Sequence, residues 1–415
     1  MKLCFITTGY FPIPPTKGGA VENLVYSLVK KNEEYAKHHI TIFSCYDFEA
    51  ELESKNFVNT KFVYVKIPKG CLCVDKMIFF FASKVFKKEK NLSYRYLMQR
   101  FYFEYEVSKE IRKAEFDKII IENTPASFLS IKWSGKKEEL LKKTVYHIHN
   151  EVGNAFGCDE LIQKTNNVIG VSKFVNNKFR IRFPKFRGNC KVLYNCITEN
   201  SDEEEFELKA DKIREKYLIE KNDFLILFVG RLSSEKGILQ LIKAFNLLSI
   251  PNAKLLIVGG AFYGSKVSSP YEKQLHDEAK ENIKRILFLG YMDRAEVDCF
   301  YRAADLVVLP SMWEEPAGLT IIESMLSKTP VITTDGGGIL EYIGENNCIV
   351  LNRDENIVNA LKDEIMNVYE NTIKYNKMAE NACAFAKKYN ADNYYKRFCE
   401  IMEKLDDESF NDWND

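Results

Sequence analysis

The chain has 415 residues, enough for two domains of about 200 residues that each bury a core of their own. Its hydrophobic content of 46% and charged content of 28% are those of an ordinary globular protein. No apolar run reaches the length of a membrane-spanning helix. The stretch 1–8 is too short for a signal-peptide core and instead predicts a first strand.

The net charge of zero conceals an asymmetry between the two halves. Residues 1–200 contain 33 Lys and Arg against 21 Asp and Glu, a balance of +12. Residues 201–415 contain 26 against 38, a balance of −12. A basic first half and an acidic second half indicate different partners for the two domains.

The 11 cysteines, in a chain without a secretion signal, indicate reduced thiols and a cytoplasmic protein. Cys71 and Cys73 are the only close pair, and no second pair at a zinc-like spacing accompanies them. Buried or loop thiols therefore explain the cysteines better than a metal does, and we predict no metal site. The chain also has no P-loop and no dinucleotide-binding G-x-G-x-x-G after its first strand.

Apolar runs, each followed by a loop and a helical pattern, recur through both halves of the chain. Many are Val, Ile and Leu runs without alternation, which is typical of parallel strands covered on both faces. The predicted strands are residues 3–7, 40–44, 62–66, 118–122, 144–149, 168–171, 225–229, 254–258, 285–289, 306–309, 331–333 and 349–351. The pattern predicts an α/β protein with two doubly wound domains.

The boundary between the domains is predicted near residue 200. Residues 199–217 are acidic and poor in strand signals, so they are the best candidate for a linker. We assign residues 1–200 to an N-terminal domain and residues 201–390 to a C-terminal domain. A last helix, at about 391–407, follows all of the C-terminal strands.

Residues 71–90 have the pattern of a basic amphipathic helix. At 100° per residue, apolar side chains share one side and lysines lie opposite. Such a helix fits the surface of an anionic membrane, and it equally fits a helix that packs on the sheet with a solvated lysine face. The apolar side consists of Val74, Ile78, Phe79, Phe81, Ala82, Val85 and Phe86, and the basic side of Lys76, Lys84, Lys87, Lys88 and Lys90.

Three strand-to-loop transitions in the second half carry polar groups. The strand before Gly230 leads into a loop with two cations, Arg231 and Lys236, at the edge where open α/β sheets bind ligands. The strand at 306–309 leads into Ser311, and the strand at 331–333 leads into the glycine run 336–338. Three such loops in one half indicate a shared binding site.

The segment 311–323 contains two carboxylates, Glu315 and Glu323, on either side of a tight bend. Pro316 and Gly318 form the bend, and Gly318 permits close approach of a ligand to the backbone. The N–H groups of the helix that follows favour an anion. Carboxylates for hydroxyl groups and a helix N-terminus for phosphate together suit a nucleotide-sugar.

With these motifs, the sequence resembles the family 4 retaining glycosyltransferases of the GT-B fold. That resemblance implies two Rossmann-like domains facing a central cleft, with the last helix crossing back onto the N-terminal domain. The matching pieces are 230–232, 235–237, the Glu315 to Glu323 segment, 337–338 with Glu341, 17–20, His149, 171–173 and 192–195.

The resemblance implies donor-binding roles in the second half. Glu323 would accept hydrogen bonds from the ribose hydroxyls, and Glu315 would lie against the transferred sugar. Glu314 is adjacent, but only Glu315 precedes proline and keeps the eight-residue spacing. Arg231 and Lys236 would stabilise the departing diphosphate. The remaining donor contacts would come from Gly318, Leu319, Thr320, Tyr291 and Met292.

In the first half, Gly18 and Gly19 would turn backbone N–H groups towards a phosphate, although a plain turn is an alternative. His149 would contact the donor sugar as a catalytic residue together with Glu315, Arg231 and Lys236. His147 has the same strand parity as His149, so both side chains should lie on one face. Cys196 stands where the family often has glycine.

Together with these residues, the resemblance implies a cytoplasmic, retaining glycosyltransferase that uses a nucleoside-diphosphate sugar, with UDP as the expected nucleotide. Its acceptor would be a glycan or a lipid-linked glycan of surface polysaccharide or glycolipid synthesis. No cofactor, metal or nucleic acid is expected. The alternatives are a nucleotide-sugar enzyme of the same fold, such as an epimerase or a phosphorylase, and a catalytically silent binding module.

Overall fold

The computed structural model describes residues 1–81, 96–197, 203–260, 270–292 and 294–405. The chain divides into two compact units: unit 1 comprises Met1–Cys196 and Ala391–Asp415, and unit 2 comprises Ile197–Asn390. Each unit is built on one parallel β-sheet with helices between successive strands. The predicted class, two doubly wound α/β domains, is confirmed.

Unit 1 has a sheet of seven described strands in the order β3-β2-β1-β4-β5-β6-β7. Every neighbouring pair is parallel. Its central strands at 118–122 and 144–148 are buried along their whole length, and the first contains the continuous isoleucine run 119–121. The strands are β1 Lys2–Ile6, β2 His39–Cys45, β3 Thr60–Val65, β4 Lys118–Glu122, β5 Thr144–Ile148, β6 Asn167–Gly170 and β7 Asn189–Val192.

Helix α1 buries an apolar stripe in the core of unit 1. In α1, Leu24, Val25, Leu28 and Val29 recur at helical spacing and all lie in the core. The helices are α1 Ala20–Tyr35, α2 Phe48–Ser54, α3 Lys69–Phe80, α4 Leu97–Ile111, α5 Phe128–Trp133, α6 Lys137–Lys143, α7 Asp159–Gln163 and α8 Lys173–Arg182.

Unit 2 has a sheet of six described strands in the order β10-β9-β8-β11-β12-β13. They are β8 Phe224–Val229, β9 Ala253–Val258, β10 Ile286–Gly290, β11 Leu306–Leu309, β12 Val331–Thr334 and β13 Ile349–Leu351. Its helices are α9 Glu203–Lys216, α10 Ile238–Asn246, α11 Pro270–Glu278, α12 Arg294–Ala303, α13 Leu319–Leu326, α14 Ile339–Ile343, α15 Ile357–Glu370 and α16 Thr372–Ala386.

The last helix, α17 Ala391–Lys404, belongs to unit 1 and packs against α1. The rings of Tyr35 and Tyr395 stack with centroids 5.4 Å apart, and the Tyr395 hydroxyl donates to Asn32 Oδ1 at 2.7 Å. Phe398 lies in the same core as Phe5, with ring centroids 5.8 Å apart. The end of the chain therefore completes the core of the unit in which the chain begins.

Two sequence predictions differ from the structure. The predicted linker, 199–217, is largely helix α9, and its residues 199–202 lie outside the described part. Arg214 joins α9 to the rest of unit 2, because its guanidinium donates to the carbonyl of Ala303 at 2.8 Å and to the carbonyl of Asp223 at 2.8 Å. Strand β7 was not predicted, since its four residues, Asn-Cys-Lys-Val, lack an apolar run and β7 is an edge strand.

Helix α3 covers the first part of the predicted 71–90 helix, and residues 82–90 lie outside the described part. Its buried residue is Asp75, whose carboxylate accepts the backbone N–H groups of Met98 and Gln99 at the start of α4. Met77 and Phe80 on α3 are more than half exposed. Among the described residues, no helix combines the length and the apolar character that crossing a membrane requires.

Candidate functional site

Three loops of unit 2 meet at the carboxyl edge of adjacent strands β8, β11 and β12. Backbone hydrogen bonds join them: the Met312 N–H donates to the Glu235 carbonyl at 2.8 Å, and the Gly338 N–H donates to the Glu315 carbonyl at 2.6 Å. The sheet order places these strands side by side, so their loops must lie close together. We call them the β8 loop (230–237), the β11 loop (310–318) and the β12 loop (335–338).

Glycine is required where these loops touch. Gly237 has φ +69°, and a Cβ there would lie 1.9 Å from the Pro310 carbonyl oxygen. Gly337 has φ +62°, and a Cβ there would lie 2.3 Å from the Glu315 carbonyl oxygen. Both positions combine a left-handed backbone with close approach to another loop, two conditions that only glycine meets without strain.

Lys236 and Glu315 form the central ion pair of the three loops. Lys236 Nζ lies 2.5 Å from Glu315 Oε1, and the Ser311 hydroxyl donates to the same oxygen at 2.7 Å. The two charged side chains are 26% and 16% exposed, so solvent screens the pair only in part. Arg231 is 64% exposed and lies 4.0 Å from Glu235, a weak contact that leaves its guanidinium facing solvent.

The neighbouring carboxylate, Glu314, has a different environment. Arg353 Nη2 donates to Glu314 Oε1 at 2.9 Å, while Arg353 Nε donates to Asp335 at 3.0 Å. Burial acts to lower the pKa of Arg353, but its hydrogen bonds with Glu314 and Asp335 raise that pKa above its ordinary value. Glu314 therefore braces the β11 loop, and Glu315 is the carboxylate that meets Lys236.

Glu323 lies on α13, which begins directly after Gly318. The Tyr301 hydroxyl donates to Glu323 Oε2 at 3.1 Å. Leu319 and Thr320 occupy the first turn of α13, where a helix offers its N–H groups no internal partner. The helix start thus presents donors suited to an anion.

Tyr291 and Met292 follow β10, and Tyr291 is 45% exposed. In the sheet, β10 is two strands away from β8 and three from β11. These two predicted base contacts therefore follow a strand that β9 separates from β8.

In unit 1, Gly18 and Gly19 have φ +74° and +110° and lead into α1. A Cβ on Gly19 would lie 2.2 Å from Glu22 Oε2, and the Thr8 hydroxyl donates to Glu22 Oε1 at 2.6 Å. Burial raises the pKa of Glu22. Because a carboxylate packs directly beneath this glycine turn, the turn has a structural reason for glycine besides the predicted phosphate contact.

His149 is the first residue after β5, and His147 lies within β5. Their rings are 4.2 Å apart, as expected from their shared strand parity. Both contact the carboxylate of Glu122, the last residue of β4: His147 Nδ1 at 3.1 Å and His149 Nε2 at 3.0 Å. All three residues are buried.

Opposing effects act on the charges of this group. Burial acts to raise the pKa of Glu122, but attraction to His147 and hydrogen bonds from both histidines hold it at about 2. Burial, followed by the influence of His147, lowers the pKa of His149 to about 4. At neutral pH, Glu122 is therefore ionised and His149 is neutral.

Sequence reasoning did not select Glu122. The available signal was its position directly after the apolar run 119–121, one strand away from the histidines. Recognising it requires the register of β4 and β5, which pairs Glu122 with His147. Within the described residues, Glu122, His147 and His149 are also the one cluster whose ligand atoms, all within 4.8 Å, could hold a metal ion.

Comparison with known proteins agrees with this architecture. Residues 209–385 match the model of the family described as "Glycosyl transferases group 1". The chain is 26% identical over 394 residues to "Putative glycosyltransferase YtcC" of Bacillus subtilis, covering 92% of this chain and 86% of the relative. It is 26% identical over 354 residues to "Lipopolysaccharide 1,2-N-acetylglucosaminetransferase" of Salmonella typhimurium, covering 82% of each.

Among solved structures, Anabaena Alr3699/HepE in complex with UDP superimposes with a TM-score of 0.69 at 21% identity. The match covers 97% of this chain and 100% of that chain. The structural likeness shows the GT-B fold. The family model and the sequence relatives together support a glycosyltransferase of group 1.

Proposed function

We propose that the protein is a retaining glycosyltransferase that moves a sugar from a UDP-sugar to a glycan or lipid-linked acceptor. The observation that carries the proposal is the contact between Lys236 and Glu315 at the meeting point of the β8 and β11 loops. A fixed cation and a carboxylate then stand together where one could hold phosphate and the other sugar hydroxyls. HepE, a neighbour in structure, has been crystallised with UDP, which favours a uridine donor.

In this proposal Lys236 leaves Glu315 and binds the diphosphate of the donor instead. The exchange releases Glu315 to accept hydrogen bonds from the transferred sugar, with Ser311 still donating to one of its oxygens. Arg231 is exposed and can move onto the same diphosphate, where its planar guanidinium can form two parallel hydrogen bonds. The N–H groups at the start of α13 add oriented donors for the phosphate.

This arrangement suits the charge that develops during transfer. As the bond between sugar and diphosphate breaks, negative charge grows on the departing phosphate and positive charge grows on the sugar. Preorganised cations and N–H donors stabilise the departing charge without having to reorganise during the reaction. We expect Arg231 and Lys236 to perform this task with no metal cofactor, and the departing phosphate could take the proton of the acceptor.

Glu323 would hold the ribose hydroxyls of the donor, since a carboxylate accepts from two adjacent hydroxyl groups. The Tyr301 hydroxyl fixes the orientation of that carboxylate before the donor arrives. In unit 1, His149 would contact the transferred sugar, and the turn at Gly18 and Gly19 would approach a phosphate. Tyr291 and Met292 remain candidates for contact with the base.

For the acceptor, we propose a membrane-bound glycan or glycolipid met at the inner face of the cell membrane. The exposed apolar side chains of α3 support this: Met77 is 59% exposed, Phe80 is 56% exposed, and both belong to a segment rich in lysine. The basic balance of residues 1–200 acts in the same direction, because anionic lipids attract basic surfaces. One of the relatives is named as a lipopolysaccharide 1,2-N-acetylglucosaminetransferase, which favours an acceptor of this class.

A thermal-shift panel of UDP-, GDP-, ADP- and TDP-sugars tests the donor. A ligand that binds the folded state raises its melting temperature by mass action, and we expect the largest rise with a UDP-sugar. Glu323→Ala should abolish most of that rise, because it removes the ribose acceptor. Glu314→Ala is the matched control, since Glu314 lies in the same segment but is bonded to Arg353.

The outcomes separate the alternatives. No shift with any of the four donors would refute the transferase. A shift that is equal in Glu323→Ala and in the unaltered protein would refute the ribose assignment alone. Binding without any release of nucleoside diphosphate would favour a silent binding module, and isomerisation of the bound sugar would favour an epimerase.

A further inference from the structure

Glu122, Asn123, Tyr146, His147 and His149 form one hydrogen-bonded group at the carboxyl end of β4 and β5. The strands run parallel, and their register sets Glu122 beside His147. His149 is two residues further along, so its side chain emerges on the same face as that of His147. A glutamate at the end of one strand thereby reaches two histidines of the next.

The hydrogen bonds define which ring nitrogens carry protons. An ionised carboxylate only accepts, so His149 must donate its Nε2–H to Glu122 Oε2, at 3.0 Å. His147 must donate its Nδ1–H to the same carboxylate, at 3.1–3.2 Å. In the neutral ring of His149, the remaining nitrogen, Nδ1, then carries a lone pair and can accept a hydrogen bond.

The backbone of His149 is fixed by the residue that follows Glu122. Asn123 adopts φ +55°, and its side-chain Oδ1 accepts the His149 N–H at 3.1 Å. Its own N–H donates to the His147 carbonyl at 2.7 Å, and its carbonyl accepts the Tyr146 hydroxyl at 2.9 Å. Both the ring and the main chain of His149 are therefore held by the pair Glu122–Asn123.

We propose that Glu122 is a positioning residue for His149: by accepting the Nε2–H it fixes that tautomer and the orientation of the ring, which leaves the Nδ1 lone pair for a sugar hydroxyl. This inference rests on the proposed function, in which His149 contacts the transferred sugar. The same two N–H donors satisfy a carboxylate that is completely buried at the end of β4.

The arrangement also has an electrostatic consequence for the reaction. A cationic histidine beside the sugar would oppose the positive charge that develops there during transfer. A neutral ring backed by a buried negative charge favours that positive charge, and more strongly in the transition state than in the bound donor. Loss of the Glu122 charge should therefore lower turnover much more than donor affinity.

The same three side chains could in principle bind a metal, since two imidazoles and a carboxylate suit zinc or iron. The short contacts favour the hydrogen-bonded arrangement: each histidine nitrogen already lies at hydrogen-bond distance from a carboxylate oxygen. Metal binding would require both of those nitrogens to be deprotonated and is a distinct, measurable outcome.

The first experiment reads the tautomer directly in the full-length protein. The chain has five histidines, so selective 15N-histidine labelling gives few signals, and His149→Gln identifies the one of interest. We expect His149 to be neutral with its proton on Nε2 at pH 7. A cationic ring, or a proton on Nδ1, would overturn the proposal without any measurement of activity.

The second experiment uses Glu122→Gln, which keeps the volume and replaces one acceptor oxygen with an N–H donor. We expect the turnover of donor, measured as release of nucleoside diphosphate, to fall at least about tenfold. The dissociation constant of the donor should change by less than about threefold, because the affected interaction grows in the transition state. Equal loss of affinity and turnover, or no loss of turnover, would contradict the proposal.

Glu104→Gln is the matched control. Glu104 is also a fully buried carboxylate of unit 1, and it accepts the Ser127 hydroxyl at 2.6 Å. We expect this variant to retain its turnover. Should Glu122→Gln fail to fold, the tautomer in the unaltered protein still decides the proposal.

Metal analysis of the purified protein completes the test. A stoichiometric metal whose removal by chelator changes the 15N signals of both histidines would replace the positioning role with a metal site. If no donor binds, the proposed function fails, while the tautomer measurement on the unliganded protein still tests the role of Glu122 as the group that orients His149.

Discussion

From the close contact between the β8 and β11 loops we predict how much Gly237→Ala lowers the free energy of unfolding. A Cβ at this position would lie 1.9 Å from the Pro310 carbonyl oxygen, whereas real contacts are essentially never below 3.0 Å. One of the two backbones must therefore move by about 1.1 Å to open the contact. The movement acts on a segment whose next residues are bonded to Glu235: Ser311 by its hydroxyl and Met312 by its N–H.

Two costs add in this variant. Alanine in a left-handed backbone costs about 1 kcal/mol relative to glycine, and overpacking of a well-packed site costs about 1–3 kcal/mol more. We expect Gly237→Ala to lower the free energy of unfolding by about 2–4 kcal/mol in total. Gly290→Ala is the control: Gly290 is in the same unit and has φ +76°, but its Cβ would meet nothing within 4 Å.

The assay is urea unfolding of both variants and of the unaltered protein under one condition. Gly290→Ala should lose only about 1 kcal/mol, so the difference between the variants isolates the contact with Pro310. We also expect Gly237→Ala to bind UDP more weakly, because the displaced backbone carries the neighbouring residue Lys236 with it. Equal destabilisation in the two variants would refute the reasoning, because backbone strain alone would explain both.

Two further variants test charges. Lys236→Met should weaken UDP binding at least about tenfold, since a charge-assisted hydrogen bond is worth about 1.5–3 kcal/mol. Calorimetric titration measures this affinity. The control, Arg353→Ala, leaves the Lys236–Glu315 pair intact and should bind UDP as the unaltered protein does. Equal affinity in all three proteins would exclude Lys236 from the phosphate site. Burial raises the pKa of Glu104 to about 8 in the folded state. Between about pH 5 and 8 the folded protein therefore keeps a proton on Glu104 that the unfolded chain has released. The free energy of unfolding should fall as pH rises through this range. Glu104→Gln should flatten that fall in urea unfolding curves recorded across this range, and parallel pH dependences would contradict the shift.

The sheets were predictable because their signal is local. Strands such as β8 and β11 are continuous apolar runs, and because both faces are buried no alternation of polar and apolar residues obscures them. Edge strand β7 carries no such run, so its pairing with β6 depends on the rest of the sheet rather than on its own residues. The segment of helix α9 resembles a linker in sequence because it is acidic and poor in strand signals, whereas its contacts, such as that of Arg214 with Asp305, are with residues distant in the chain.

The candidate site was predictable in part for the same reason. Arg231, Lys236, Glu315 and Glu323 follow strand ends with glycine and proline signals, which a single sequence displays. The contact of Lys236 with Glu315 required the strand order, since 79 residues separate them. Glu122 required the register of two strands, and nothing in its immediate neighbours distinguishes it from an ordinary strand-end carboxylate.

Proton NMR of the donor tests sugar transfer, the central claim, most directly. The donor selected by the thermal-shift panel is incubated with the full-length protein at stoichiometric concentration. A site that stabilises the departing diphosphate should let water replace the missing acceptor, so we predict slow release of nucleoside diphosphate. The freed sugar should first appear with the anomeric configuration that it had in the donor. A donor that binds but stays intact, or a sugar that first appears inverted, would contradict the account.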